Sequence, residues 1–330
     1  MSENRVLKSM TKVRESVALL TAFVAFLSAA PPALAAPKII GIAGGPNGGA
    51  YYPLSIGVAK IIETAMPGLK VDVAVTAGAI ANSTLVGTGE MDMGFTNGDA
   101  VYEAYTGTGR YAKGKLPDIR ILFGGVPGGV FHVVVAKNGP ISSLGQLKGK
   151  RVAIGPQGGA TEYLAPIVLK YYGVQKDDMK LTFVSYSDGI QALSDGQVDA
   201  AMVTSPVPAQ AIKQLAAVGK LEFKVLGIEP EKAAQFIKDN PFYVPFTLPA
   251  KIYGLDQEIH TVATTNIMSV NAKLDTDTVY KITKGIFENL DILVKAHPSA
   301  KGIALKTAPV TYIPLHPGAE KYYREKGLIQ

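Results

Sequence analysis

The chain has no cysteine among its 330 residues. Disulfide staples and thiolate chemistry are therefore excluded, and the fold has to rest on a buried apolar core. Histidine is nearly as scarce. His132, His260, His297 and His316 are scattered without H-x-x-x-H spacing, so no zinc or other metal site is expected. His132 in "VFHVVVAK" reads as a satisfied strand histidine, and His316 in "IPLHPGAEKYY" as part of a turn before a last helix. Lysine and arginine form no cluster despite a formal charge of +6, which argues against a nucleic-acid partner. No G-x-S-x-G elbow is present, and past the N-terminal segment no apolar run is long enough to cross a bilayer. These absences point to binding rather than catalysis, and to no cofactor.

The first 35 residues read as a leader. Arg5, Lys8, Lys12 and Arg14 make a basic start, Val17 to Ala30 an uncharged apolar stretch, and Ala33-Leu34-Ala35 an A-x-A cleavage site. Without a twin arginine, ordinary Sec export is expected. Removing four basic and two acidic residues lowers the formal charge to +4. An exported chain without disulfides suits a bacterial periplasm.

Short β-type runs then alternate with helical patterns. Lys38–Ile42, Lys70–Thr76, Met93–Thr96, Ile119–Phe123, Val130–Ala136, Arg151–Ile154, Leu181–Ser185 and Ala200–Thr204 read as strands. Leu54, Val58, Ile61, Ile62 and Ala65 share one helical face, as do Leu164, Ile167, Val168 and Tyr171. A last amphipathic helix is expected through Val279, Ile282, Ile286, Leu290 and Leu293. Such alternation predicts an α/β fold with largely parallel sheets. "GGPNGGAYY" at 44–52 is echoed by "GPQGGATEY" at 155–163, and "GEMDMGFTN" at 89–97 by "GQVDAAMVTS" at 196–205. The nearly equal offsets predict two lobes of similar topology with a cleft between them. Expected bounds are 36–127 with 246–330 for the first lobe and 128–245 for the second. The three prolines of "NPFYVPFTLP" at 240–249 argue against regular structure there and mark a hinge crossing.

The glycine loops are not phosphate motifs. No lysine follows Gly49, and Gly44, Gly45, Gly48 and Gly49 do not fit G-x-G-x-x-G. What remains is close backbone approach and free amides at two helix starts, which suit an anionic or zwitterionic ligand. Open α/β sheets bind ligands at the C-terminal ends of their strands. The candidate ligand-binding residues are accordingly Asn47, Gly48, Gly49, Tyr51, Tyr52, Thr76, Asn97, Gln157, Gly159, Thr161, Ser205 and Tyr243. Glu162, at a helix start, is a candidate partner for a ligand ammonium. Asp92 and Asp199 occupy equivalent positions, where turn hydrogen bonds explain them.

Several stretches, in order along most of the chain, resemble the TAXI group of solute receptors for TRAP (tripartite ATP-independent periplasmic) transporters. They are "GGPNGGAYYPLSIGVAKII", "TAGAIANSTLVGTGEMDMGFTNGDAVYEAYTG", "SLGQLKGKRVAIGPQGGATEYLAPIVLKYYGV", "LSDGQVDAAMVTSPVPAQAI", "YKITKGIFENLDILVKAHPSAK" and "IPLHPGAEKYYREKGL". The resemblance implies a type II periplasmic-binding fold that closes over a small organic acid or amino acid. It also implies delivery to an ion-gradient-driven membrane permease, with a monomer as the expected state. A receptor for an ATP-driven importer and a ligand-sensing receptor are the alternatives. Thr76 to Asn82 reads TAGAIAN where the family often reads TGGSVEN, and Val126-Pro127-Gly128 replaces a common Tyr-Pro-Glu. Both departures make the expected pocket less polar, and no arginine lies in the candidate loops.

Overall fold

The computed structural model describes residues 39–330, so the expected leader lies outside the described residues. The first β-rich runs form β1 (Ile39–Ala43), β2 (Lys70–Ala74) and β3 (Met93–Asn97), with β1 parallel to both others. Between them run α1 (Tyr51–Ala65) and α2 (Ala79–Thr88). Helix α1 buries Leu54, Val58, Ile61 and Ile62 in the same cluster as Ile40 and Ile42 of β1. Each such side chain contributes roughly 1.5–3 kcal/mol when fully buried. After α3 (Gly98–Thr106) the chain forms β4 (Ile119–Val126) and leaves this sheet.

The second sheet repeats the plan. β5 (Val130–Ala136) enters it, followed by β6 (Arg151–Ala153), α4 (Ala160–Lys170), β7 (Lys180–Thr182), α5 (Tyr186–Ser194) and β8 (Ala200–Ser205). Here β6 is parallel to both β7 and β8, as β1 is to β2 and β3. Then come α6 (Gln210–Val218), β9 (Phe223–Leu226), α7 (Pro230–Asp239), β10 (Tyr243–Leu248) and β11 (Ile259–Thr264). The chain returns through β12 (Asn266–Asn271) and ends with α8 (Thr276–Glu288), α9 (Leu290–Ala296) and α10 (Pro317–Glu325). The sheet orders are β2-β1-β3-β12-β4 and β10-β11-β5-β8-β6-β7, with β9 also on β5.

The internal repeat has a hydrogen-bond signature. Asp92 Oδ2 accepts from Gly41 N at 2.8 Å, and Asp199 Oδ2 accepts from Arg151 N at 2.8 Å. In return Asp92 N donates to Gly41 O at 2.9 Å and Asp199 N to Arg151 O at 2.8 Å. Each aspartate, just before its own strand, thus ties that strand's entry to its parallel neighbour, β3 to β1 at Gly41 and β8 to β6 at Arg151. These are the turn roles the sequence predicts for them.

Three expectations change. The sheets are mixed rather than largely parallel: β12 runs antiparallel to β3 and β4, and β5 antiparallel to β8, β9 and β11, because these strands carry the chain across between the lobes. The proline-rich stretch is not irregular: Tyr243–Leu248 is an edge strand paired only with β11, with Pro245 opposite Val262. An edge strand tolerates proline because one of its sides needs no N–H donors. Since β10 and β11 both belong to the second sheet, the return crossing lies at Thr265 rather than near 246. The last long helix is also two helices. Asn289, whose side-chain amide donates to Gly285 O at 2.8 Å, ends α8 before α9 begins.

Candidate functional site

Both crossings between the sheets, 127–129 and Thr265, run side by side, and the two glycine loops face the opposite lobe. The loops are built alike. Gly48 has φ +86° and Gly158 φ +79°, and Gly49 N and Gly159 N donate to Pro46 O and Pro156 O at 3.2 and 3.1 Å. Each loop then offers its carbonyls to helix starts across the cleft. Gly48 O accepts from Ala211 N in the first turn of α6 at 3.0 Å, and Asn47 O from Ser187 N of α5 at 3.3 Å. In the other direction Gly158 O accepts from Ala81 N of α2 at 3.0 Å. Ala50 N, at the start of α1, donates to Ser205 Oγ of the second lobe at 3.1 Å. The N-caps of α2 and α6, Gly78 and Ala209, have no capping side chain, so the opposite lobe supplies the acceptors those amides require.

Between the loops lies a cavity of about 20 Å³. Pro46, Gly49, Ala50, Tyr51, Gly78, Ala79 and Asn97 line it from the first lobe. Gly129, Ala160, Tyr186, Thr204, Ser205 and Pro206 complete it. No charged side chain is among these described residues. Tyr51 stacks on Phe95, and its hydroxyl lies 2.8 Å from Oδ1 of both Asn97 and Asn266. A hydroxyl has one proton, so one of these amides has to present its nitrogen instead. Asn266 already donates from Nδ2 to Pro127 O at 2.7 Å, so Asn97 is the one free to turn. Across the cavity, Tyr186 donates to Thr204 O at 3.1 Å and sits 2.9 Å from Thr161 Oγ1. Burial raises the Tyr51 hydroxyl well above its ordinary pKa, helped by Tyr186 and Asp99, and burial raises Tyr186 too. Both remain protonated donors. Thr204 is 7% exposed, and its Oγ1 has no partner in the described structure.

Of the sequence-predicted residues, Gly49, Tyr51, Asn97 and Ser205 come together at this cavity. Gly48 and Gly159 stand behind it as interlobe contacts; a Cβ on Gly159 would lie 2.8 Å from Ala77 O. Thr161 is buried, and its hydroxyl accepts from Thr204 N at 2.9 Å, which holds that strand end in place. Thr76 bonds Asn82 Oδ1 at 2.6 Å and shapes the turn before α2. Asn47 and Gln157 are exposed, because the glycine loops turn main chain rather than side chain toward the cleft. Tyr52 packs beside Gly44 rather than in the cavity. Glu162 Oε2 accepts from Gly158 N at 2.9 Å, and Oε1 lies 3.3 Å from Lys176 Nζ. It is therefore a loop anchor and not a free partner for an ammonium. Sequence reasoning missed Tyr186 and Gly129. Tyr186 follows Ser185, whose N-cap pattern with Asp188 was the available signal.

Tyr243 serves a different place. Its hydroxyl donates to Asp99 Oδ2 of the first lobe at 3.1 Å. The same oxygen meets Arg110 at 2.8 Å, and Arg110 Nε donates to Glu103 Oε2 at 2.6 Å. The Arg110 guanidinium covers the Tyr163 ring of α4 at 3.8 Å from its centroid. Burial lowers the Arg110 pKa, but Asp99 and then Glu103 outweigh this and hold it above the ordinary value.

Comparison with known proteins places this arrangement. Solved structures similar to the chain include PhnD1 from Prochlorococcus marinus (MIT 9301) in complex with methylphosphonate. It is 15% identical, with a TM-score of 0.56, over 89% of this chain and 100% of that one. A protein from Bordetella bronchiseptica RB50 is 17% identical with a TM-score of 0.51, over 89% and 90%. The periplasmic aliphatic sulphonate binding protein SsuA from Escherichia coli is 16% identical with a TM-score of 0.46, over 89% and 94%. The fold, two α/β lobes joined by paired crossings, is that of type II periplasmic binding proteins. The model of the NMT1-like family matches residues 42–327, and the chain belongs to that family.

Proposed function

We propose that the protein is a periplasmic solute receptor of the TAXI type. In this reading it captures a small organic acid or amino acid between its lobes and hands it to the membrane subunits of an ion-gradient-driven TRAP permease. The observation that carries this reading is the interlobe cavity. It is lined from both lobes by helix-start amides, tyrosines and hydroxyls with no charged side chain, and the buried Thr204 Oγ1 there lacks a partner. Neutral donors at helix starts suit an anionic group. Catalysis is not part of the proposal, because no nucleophile–base pair converges on the cavity. The basic start, apolar stretch and A-x-A site of the first 35 residues support Sec export, and the receptor acts as a monomer.

The test is thermal unfolding of residues 36–330, stripped of resident ligand by unfolding and refolding. The panel comprises mono- and dicarboxylates, amino acids, aromatic acids, sugars and, given the methylphosphonate complex of PhnD1, phosphonates. A ligand that binds the native state raises its apparent stability, so one acid class should raise Tm with increasing concentration. A flat response to every acid refutes the assignment. Uptake into vesicles that requires a sodium gradient rather than ATP then tests the permease partner.

A further inference from the structure

We infer that Arg110 is a positioning residue for lobe closure: held by Asp99 and Glu103 of its own lobe, it lies on the Tyr163 ring of the other lobe and latches the cleft shut. The inference rests on the reading of the protein as a receptor whose lobes open and close, but not on which ligand it takes.

The latch begins with the segment "TGTGR". Gly107 and Gly109 adopt φ values of +73° and +51°, which lets the chain double back after α3. The Glu103 carboxylate occupies the place a Cβ on Gly109 would need. Arg110 is thereby laid along α3, where Glu103 Oε2 accepts from both its backbone N at 3.0 Å and its Nε at 2.6 Å. Asp99 Oδ2 takes its Nη2 at 2.8 Å. The side chains of Arg110, Asp99 and Glu103 are only 14%, 6% and 17% exposed. Two carboxylates fix the guanidinium in one orientation, and its flat face meets Tyr163 at 3.8 Å.

Three further contacts cross the same wall. Tyr243 donates to Asp99 at 3.1 Å. Phe242 lies 5.4 Å from Tyr102 and 5.6 Å from Tyr312 between ring centroids. Tyr243 and Phe242 lie on or beside β10, next to the Thr265 crossing, so they move little when the lobes part. Tyr163 lies in the first turn of α4, whose first residue, Ala160, lines the cavity. Among the contacts of this wall, the Arg110–Tyr163 contact is therefore the one that opening breaks. A cation on an aromatic face is attracted by the ring quadrupole, and more strongly where water is excluded. A net charge of −1 over Asp99, Glu103 and Arg110 keeps the guanidinium paired in the open form, ready to recapture the ring.

Arg110 is a poor test on its own, because removing it leaves Asp99 buried without its cation and threatens folding. Tyr163 is the better handle. The chain lacks cysteine, so Lys60→Cys and Ala217→Cys place one spin label on each lobe. Pulsed dipolar distance distributions then report the ratio of short to long interlobe separations in the full mature chain. Tyr163→Phe keeps an aromatic face and should preserve the wild-type ratio. Tyr163→Leu should lower it about tenfold while stability falls by no more than that ratio accounts for, about 1.4 kcal/mol, a split that a merely structural role for Tyr163 does not produce. A Leu ratio equal to the Phe ratio overturns the inference, whether both match wild type or both fall. The measurement needs no ligand, so its failure is separable from failure of the acid-binding assignment.

Discussion

Replacing Gly48 and Gly158 separately by alanine should separate backbone strain from interlobe fit. Both residues sit in the left-handed region, at φ +86° and +79°. An alanine there is strained in open and closed forms alike, costing about 1–2 kcal/mol of global stability. Their surroundings differ. A Cβ on Gly158 would lie 3.6 and 3.7 Å from Ala81 Cβ and Ala77 Cβ, ordinary contact. A Cβ on Gly48 would meet Ser187 Oγ at 2.7 Å, with Ala211 Cβ and Ser187 N both at 2.8 Å. All three atoms belong to the opposite lobe, and the last is backbone that cannot swing aside. Only Gly48→Ala therefore overpacks the closed interface, at roughly 1–3 kcal/mol. That is a loss of about 5- to 150-fold in the closed-to-open ratio. Urea unfolding should show the strain cost in both variants, with any excess in Gly48→Ala no larger than its closure term. Interlobe distances, or the affinity for whichever acid stabilises the protein, should change for Gly48→Ala alone. Equal closure defects in the two variants would refute the argument.

Acid should weaken the fold through His132. Its Nδ1–H faces Val203 O at 3.2 Å, and its Nε2 accepts from the Tyr253 hydroxyl at 3.3 Å, so the ring is satisfied as the neutral form. Burial lowers its pKa to about 4 from 6.5. The unfolded chain therefore binds the extra proton between those values, and stability present above 6.5 is lost as pH falls toward 4. From about pH 7 to about pH 4.5 this removes roughly 2 kcal/mol. Urea titrations across that range should show the loss in wild type and a shallower slope in His132→Gln; parallel slopes would refute it. Ser205→Ala deprives the Ala50 amide of its acceptor only when the lobes are shut, about 1–3 kcal/mol. Closure or affinity should fall about tenfold while stability in urea falls by no more than the roughly 1.4 kcal/mol this accounts for, and a lowered midpoint with unchanged closure would contradict the assignment.

The parts of the fold governed by local pattern were legible in the sequence. The parallel strands and the α1 stripe follow from apolar periodicity, and the 107- and 110-residue offsets reappear as Asp92–Gly41 against Asp199–Arg151. β10 is not legible in the sequence because proline disfavours strands in general, whereas its effect depends on whether the strand is at an edge, a tertiary fact. The site followed the same division. Glycine loops could be found by composition, but which of their atoms face inward depends on how the lobes meet, so Asn47 and Gln157 read as contacts when only main chain turns in. Tyr163 and Arg110 carry no local motif, and Tyr186 has only the N-cap pattern of Ser185 and Asp188 beside it. They matter because distant segments pack beside them.

The closed cleft also sets terms for ligand charge. At about 20 Å³ it has room for about one water, far below the roughly 300–1,000 Å³ of small-molecule sites. An organic ligand therefore enters only when the lobes part, and closing over it exchanges direct interlobe bonds for bonds to the ligand. The donors released are main-chain amides, chiefly Ala50 N and Ala211 N, whose present acceptors are a hydroxyl and a carbonyl. A neutral ligand oxygen merely replaces like with like. An ionised one makes hydrogen bonds about twice as strong, and the helix starts behind the amides add to this. Two such exchanges favour the anion by roughly 2–3 kcal/mol, about 30- to 150-fold in affinity. Calorimetric titration of the best-binding acid against its primary amide, an uncharged analogue of nearly the same shape, measures that preference. Comparable affinities would show that the helix-start amides do not read charge, and the ligand class would then have to be sought among neutral solutes.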